Sequence, residues 1–188
     1  LGIVELPDIR LFKLKKIYNP KKLTASTVEF IDIAGLVKGA SEGRGLGNAF
    51  LSHIRAVDAV YHMVRAFEDK NVTHVEESVD PIRDMEIIEN ELLLKDVETV
   101  KKGLQPLERL CSRNNGSKEQ QFTYATLNKV LAHVEAGKEV RFGKWTGKEI
   151  PIINEYFFLT AKPMIYLVNL RHTSFVKKRS NWLPKIIE

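Results

Sequence analysis

Val28 to Ile33 reads as an apolar strand that closes around Asp32. It runs straight into a loop that holds five of the chain's eleven glycines between Gly35 and Gly47. The spacing Asp32-x-x-Gly35 has a chemical logic. A carboxylate at the C-terminal end of a buried strand can hold a water on Mg²⁺, and a glycine three residues on can bring its N–H to a γ-phosphate. Asp and Gly are also the commonest residues of strand-ending turns, so the motif alone leaves a plain turn open. The glycine density suits a loop that orders around a phosphate and then releases it, and equally a flexible surface loop. The run Gly43-x-Gly45-x-Gly47 is not G-x-G-x-x-G, which excludes a dinucleotide fingerprint.

Around that stretch the pattern alternates between strand and helix. Leu1 to Leu6 reads as a strand ended by Pro7-Asp8, and Ile9 to Tyr18 as a short helix stopped by Pro20. Ala49, Phe50, Ile54 and Val57 recur at helical spacing, and residues 59–65 and Met164 to Leu170 read as buried strands. A long helix is predicted to open with Asp80 as N-cap and Pro81 at its first position, with Pro106 kinking or dividing it. Asn114-Asn115-Gly116-Ser117 signals a loop, and a second helix from about Glu119 to Glu135 ends before Gly137. Two helices joined this way make an antiparallel hairpin. Thr146-Gly-Lys-Glu149 predicts a capping box, with Pro151 at its edge. The order strand-helix-strand implies parallel strands with crossovers on both faces of an α/β sheet.

A length of 188 residues suits one domain, or one domain carrying an insertion. No apolar run reaches the roughly 18 residues of a membrane span. The lone Cys111 excludes an internal disulfide, no Cys/His cluster has zinc spacing, and together these predict a cytoplasmic chain without a disulfide-linked or membrane partner. Net charge is +5, with Arg171, Lys177, Lys178, Arg179 and Lys185 gathered near the C-terminal end. Such a run meets RNA by counterion release, or is simply a solvated face.

The longer sequence from Asp32 to Ser41, then Gly43 to Arg55, resembles the switch II region of the Obg-like GTPases, most closely the YchF / Obg-like ATPase branch. Val64-Arg-Ala-Phe-Glu-Asp69, Asp80-Pro-Ile-Arg-Asp-Met-Glu-Ile-Ile-Glu-Asn-Glu91 and Lys162-Pro-Met-Ile-Tyr-Leu-Val-Asn-Leu170 extend the resemblance in family order across nearly the whole chain. It implies an α/β P-loop NTPase fold, a G domain with a mostly parallel sheet, carrying a helical coiled-coil-like insertion. The expected division is a partial G domain at 1–95 with switch II at 32–47, the insertion at 96–140, and the G domain again at 141–188. The implied function is binding and hydrolysis of ATP or GTP with Mg²⁺, in association with a ribosome or RNA.

Carried over residue by residue, the resemblance puts Asp32 on Mg²⁺ through water and Gly35 on the γ-phosphate. Leu36 stands where Ras-like enzymes have a water-orienting Gln, as is usual for this branch. Asn169 and Leu170 match the start of a base-recognition motif similar to N-x-x-E, with His172 at the fourth position. A carboxylate there accepts from guanine N1–H and its 2-amine; an imidazole offers no such pair of acceptors. No G-x-x-x-x-G-K-S/T occurs in the 188 residues. The resemblance places that motif ahead of Leu1 and a TGS domain beyond Glu188, so the expectation is a fragment lacking both and without activity of its own. The alternative is a degenerate, non-catalytic interaction module that binds a ribosome or a protein.

Overall fold

The structure, a computed structural model, describes residues 1–33, 47–69, 71–74, 76–111 and 116–187. Gly35, Leu36 and the rest of the predicted switch II loop to residue 46 lie outside the described residues, as do Asn114 and Asn115. The chain divides into two compact units, Leu1–Gly35 and Leu36–Glu188.

In the first unit, β1 (Gly2–Glu5) pairs antiparallel with β2 (Thr27–Phe30), Gly2 opposite Phe30 and Glu5 opposite Thr27. Between them runs α1 (Ile9–Tyr18), with the bounds that the sequence pattern predicts. Asp8 opens it by accepting from Arg10 N at 2.8 Å. Asn19 closes it in the left-handed region (φ 42°), its N–H on Lys15 O at 2.9 Å, one residue before Pro20. No residue of α1 is buried.

The second unit begins, among described residues, with α2 (Gly47–Ala56) and β3 (Val60–Arg65), and β3 lies parallel to β4 (Met164–Asn169). Val60 pairs with Met164 and Arg65 with Asn169. Side chains alternate across a strand. His62 and Val64 turn to the face where Tyr166 meets α3 (Pro81–Cys111), its hydroxyl donating to Glu89 at 2.8 Å. Tyr61, Met63, Ile165 and Leu167 are exposed on the other. The expectation of fully buried strands is therefore corrected. A near-continuous apolar run reads as covered on both sides, but within the described residues a helix covers only one.

Asp80 caps α3 as expected, accepting from Ile82 N and Arg83 N at 3.1 and 3.2 Å. The helix is not divided at Pro106; it continues through it to Cys111. Next comes α4 (Lys118–Glu135), opened by a reciprocal box in which Ser117 Oγ accepts from Gln120 N and Gln120 Oε1 from Ser117 N. Gly137, at φ 73°, ends it, and Lys138 N closes back on His133 O.

The two helices form an antiparallel hairpin whose core is Leu93, Val100 and Leu104 against Leu127, Val130 and Val134. That core continues into Val140, in a 3₁₀ turn at 140–142, Ile153 in α5 (Glu149–Glu155) and Phe158 before a second 3₁₀ turn at 159–161. Gly103 makes one of these contacts possible. A Cβ there would lie 2.5 Å from the Tyr156 ring.

One polar group is central to the packing. Asp96, 1% exposed on α3, accepts from Leu159 N, Thr160 N and Thr160 Oγ1 at 2.7, 2.8 and 2.7 Å. Short α6 (His172–Val176) and α7 (Leu183–Ile187) follow β4. No helix among the described residues is long and apolar enough to cross a membrane.

The predicted box at Thr146 forms only its back-reaching half. Glu149 Oε2 accepts from Thr146 N at 2.6 Å, and α5 starts at Glu149. Pro151 falls within its first turn, where a missing N–H breaks no helical bond. Lys129 Nζ also binds Glu149, at 2.8 and 3.0 Å, and this pair is the main cause that lowers the carboxyl to about 2. A folded pKa below the unfolded one stabilises above about pH 4.3, and that contribution fades as pH falls toward 2. Glu149→Gln is expected to remove this part of the acid sensitivity, at a neutral-pH cost of about 1 kcal/mol because solvent reaches Lys129. Urea melts at pH 3 and pH 7 check it: if wild type and variant lose the same stability between the two, the Lys129 pair does not supply the pH dependence.

Candidate functional site

The predicted nucleotide-contact residues fall in both units. Asp32 follows β2 in the first unit with its side chain exposed. Asn169 and Leu170 stand at the C-terminal end of β4 in the second. Gly35 lies outside the described residues.

Around Asn169 the chain builds a defined rim. Its carbonyl accepts from Ala66 N at 2.9 Å, continuing the β3–β4 ladder by one rung. Its side-chain amide is exposed and makes no hydrogen bond among the described residues, leaving one acceptor and one donor group for a planar base edge. Leu170 is half-buried beside it, and His172 begins α6 with its ring exposed. Arg171, the N-cap residue of α6, reaches over to donate to the Glu68 carbonyl.

The rim is held by a residue that sequence reasoning passed over. Arg65, at the last position of β3, donates to the carbonyls of Phe67 at 3.1 Å, Val72 at 3.1 Å, Thr73 at 3.2 Å and Asp69 at 3.4 Å. Its guanidinium carbon also lies 4.9 Å from the centre of the Phe67 ring. One guanidinium thus pins the whole turn after β3, using the fixed fork of donors that lysine lacks. The only sequence signal was an arginine closing an apolar strand, which periodicity treats as ordinary solvent exposure. In parallel α/β sheets the crevice outside the carboxyl ends of the strands is where ligands bind. Asn169 occupies that position.

His62 lies beneath this rim, 5.3 Å from the Tyr166 ring, and burial pushes its pKa down. The cationic run after β4 is partly consumed by local contacts: Arg171 on Glu68, and Lys185 5.2 Å over the Trp182 ring.

Magnesium makes a modest demand on such a protein. It takes one or two carboxylates and fills its remaining positions with water and substrate phosphates. Among the described residues no group of three or more His, Cys, Asp or Glu is arranged to hold a metal ion. Asp32, exposed just after β2, would suit such an ion as its single carboxylate.

Residues 12–100 match the family described as 50S ribosome-binding GTPase. Obg-like ATPase 1 of Oryza sativa subsp. indica is 50% identical over 183 residues, which is 97% of this chain and 46% of that protein. Obg-like ATPase 1 of Homo sapiens is 48% identical over 187 residues, covering 98% of this chain and 47% of that protein. The solved structure of the Schizosaccharomyces pombe YchF GTPase superposes with a TM-score of 0.78 at 47% identity, over 98% of this chain and 50% of that one. The chain belongs to the Obg-like ATPase (YchF) family. It spans about half the length of the curated relatives it matches.

Membership fixes the fold as the α/β G domain of P-loop GTPases, and with it a kinship to proteins that bind ATP or GTP. In that setting the parallel β3–β4 pair is part of the G-domain sheet.

Proposed function

We propose that residues 1–188 are the switch II, helical-insert and base-recognition part of an Obg-like hydrolase that takes ATP or GTP with Mg²⁺ and works at the ribosome in the cytoplasm. Within it Asp32 holds the Mg²⁺-bound water, Gly35 offers its N–H to the γ-phosphate, and Asn169 with the backbone at Leu170 meets the base. The G domain occupies 1–95 and resumes at 141–188, with 96–140 as the insertion. The observation that carries this reading is the exposed, uncommitted Asn169 amide at the carboxyl end of a parallel strand, in a chain of this family. Ribosome association draws its support from the description of the family matched by residues 12–100.

These 188 residues contain no G-x-x-x-x-G-K-S/T sequence. That sequence is what provides the nest of backbone N–H groups and the lysine behind most of the phosphate affinity in P-loop enzymes. Asn169 and Leu170 alone make too small a contact to hold a nucleotide. Residues 1–188 by themselves are therefore expected to show no measurable affinity for ATP or GTP. Titration of the purified chain with fluorescent analogues of both, with Mg²⁺ present, is the measurement. Binding in the micromolar range would mean that this stretch holds a phosphate site of its own and would overturn the assignment of roles.

A further inference from the structure

The turn that follows α4 does not belong to the nucleotide rim, and its composition is unlike the surface around it. From Lys138 to Lys148 it reads Lys-Glu-Val-Arg-Phe-Gly-Lys-Trp-Thr-Gly-Lys. Its single carboxylate, Glu139, is buried and taken by Arg141. The next one along, Glu149, is taken by Lys129. Lys138, Lys144 and Lys148 are exposed and make no ion pair among the described residues, so three positive charges stand uncompensated on one short segment.

The segment is also rigid. Thr160 Oγ1 accepts from Val140 N at 3.1 Å, and Arg141 donates to Lys162 O at 2.7 Å. Trp145 Nε1 donates to Val140 O at 2.7 Å, while the His133 ring meets the indole edge-to-face at 5.4 Å. Gly143 is required for that indole position, since a Cβ there would lie 2.3 Å from the ring. Against this fixed background Phe142 is 75% exposed, with the Arg141 guanidinium 5.5 Å from its ring centre. Lys129, His133, Lys138, Phe142, Lys144 and Trp145 line a cleft of about 350 Å³.

An exposed aromatic ring on a rigid turn, flanked by free cations, combines the two parts of a site for single-stranded nucleic acid. A base stacks on the ring regardless of its identity, and the lysines take the phosphates on either side. We propose that the 138–148 turn binds a single-stranded polynucleotide, with a base on Phe142 and backbone phosphates on Lys138 and Lys144. An anionic membrane would also satisfy the lysines and take up the Phe142 ring, and an acidic protein would satisfy the lysines alone; the cleft beside Phe142, bordered by the Trp145 and His133 rings, favours a flat base. The site stands apart from the nucleotide-hydrolase reading, since Asp32, Asn169 and Leu170 take no part in it.

Fluorescence anisotropy of a labelled 12-nucleotide U-tract RNA and its deoxy-T counterpart, titrated with the 188-residue chain at several salt concentrations, tests this. Phe142→Ala is expected to weaken binding about tenfold and leave the salt slope unchanged. Lys138→Gln with Lys144→Gln is expected to reduce the slope by about 1.4, from about 0.7 per single-strand phosphate. All three positions are exposed, and far-UV circular dichroism of each variant checks that the fold is retained. Tighter binding of RNA assigns the ligand to RNA; tighter binding of DNA assigns it to DNA. Wild-type affinity in Phe142→Ala overturns the proposal. So does binding to phosphatidylserine vesicles with none to either oligonucleotide. Ribosome association is measured separately by cosedimentation, so failure of that reading and failure of this site give different results.

Discussion

Asp96→Ala is expected to cost the second unit about 3 kcal/mol of stability. The carboxylate is almost wholly enclosed, and it satisfies two backbone N–H groups and one hydroxyl on the 159–160 segment. Truncation leaves three donors facing an apolar hairpin, and each orphaned buried group costs about 1–3 kcal/mol before water partly relieves it. Enclosing the charge carries its own penalty, visible in a carboxyl that burial pushes up despite the Thr160 and Leu159 hydrogen bonds, so the net loss falls below that sum. Asp96→Asn keeps one acceptor and is expected to lose roughly half as much. Urea unfolding followed by tryptophan fluorescence gives the number, because Trp145 packs on the same core. At a typical slope of about 1–3 kcal/mol/M the Ala variant should drop the midpoint by at least about 1 M. A shift under about 0.3 M would show that the segment is held by its apolar contacts alone.

Leu127→Ala should come close to that, at about 3 kcal/mol. Leu127 is 0% exposed, and its side chain lies against the gap that Gly103 leaves for Tyr156. Val100 and Val130, also fully enclosed, restrict how far the hole can collapse. The cost is the lost transfer energy plus a cavity that stays open. Phe122→Ala, on the same helix but 41% exposed, is the control and should lose less than about 1 kcal/mol. Equal losses at the two sites would mean that α4 does not pack on α3 as described.

Both predictions rest on residues whose weight the sequence hid to different degrees. The hairpin was legible: leucines and valines at three- and four-residue steps, Asp80-Pro81 at one end and Gly137 at the other, all report short-range physics. Leu127 belongs to that pattern. Asp96 does not, because a single carboxylate within a helix reads as solvent-facing, and its partners lie 63 and 64 residues away. Arg65 was missed for the same reason, since its four carbonyl partners are defined only once the turn after β3 is folded. The one-sided exposure of β3 and β4 was misread because an unbroken apolar run looks the same with one face covered or two. Of the two effects expected of Pro106, kinking or dividing α3, division does not occur, because helix continuity depends on packing as well as on one lost backbone bond. At the candidate site, Asn169 falls at a strand end as its position in the motif requires. The 138–148 turn carried its signal in the interleaving of Phe142 and Trp145 with lysines, while the more conspicuous charge run near the C-terminal end drew the attention.

Helix α3 grips β4 and the segment leading into it at two places. Asp96 holds Thr160, four residues before β4 begins, and Glu89 holds Tyr166 within it. The two carboxylates are seven residues apart, about 10 Å along the helix axis. A rod pinned at one point can pivot; a rod pinned at two cannot. A push on the hairpin therefore has no hinge to absorb it before it reaches β4. The α3–α4 hairpin and the strand that ends in Asn169 are braced together as one rigid piece.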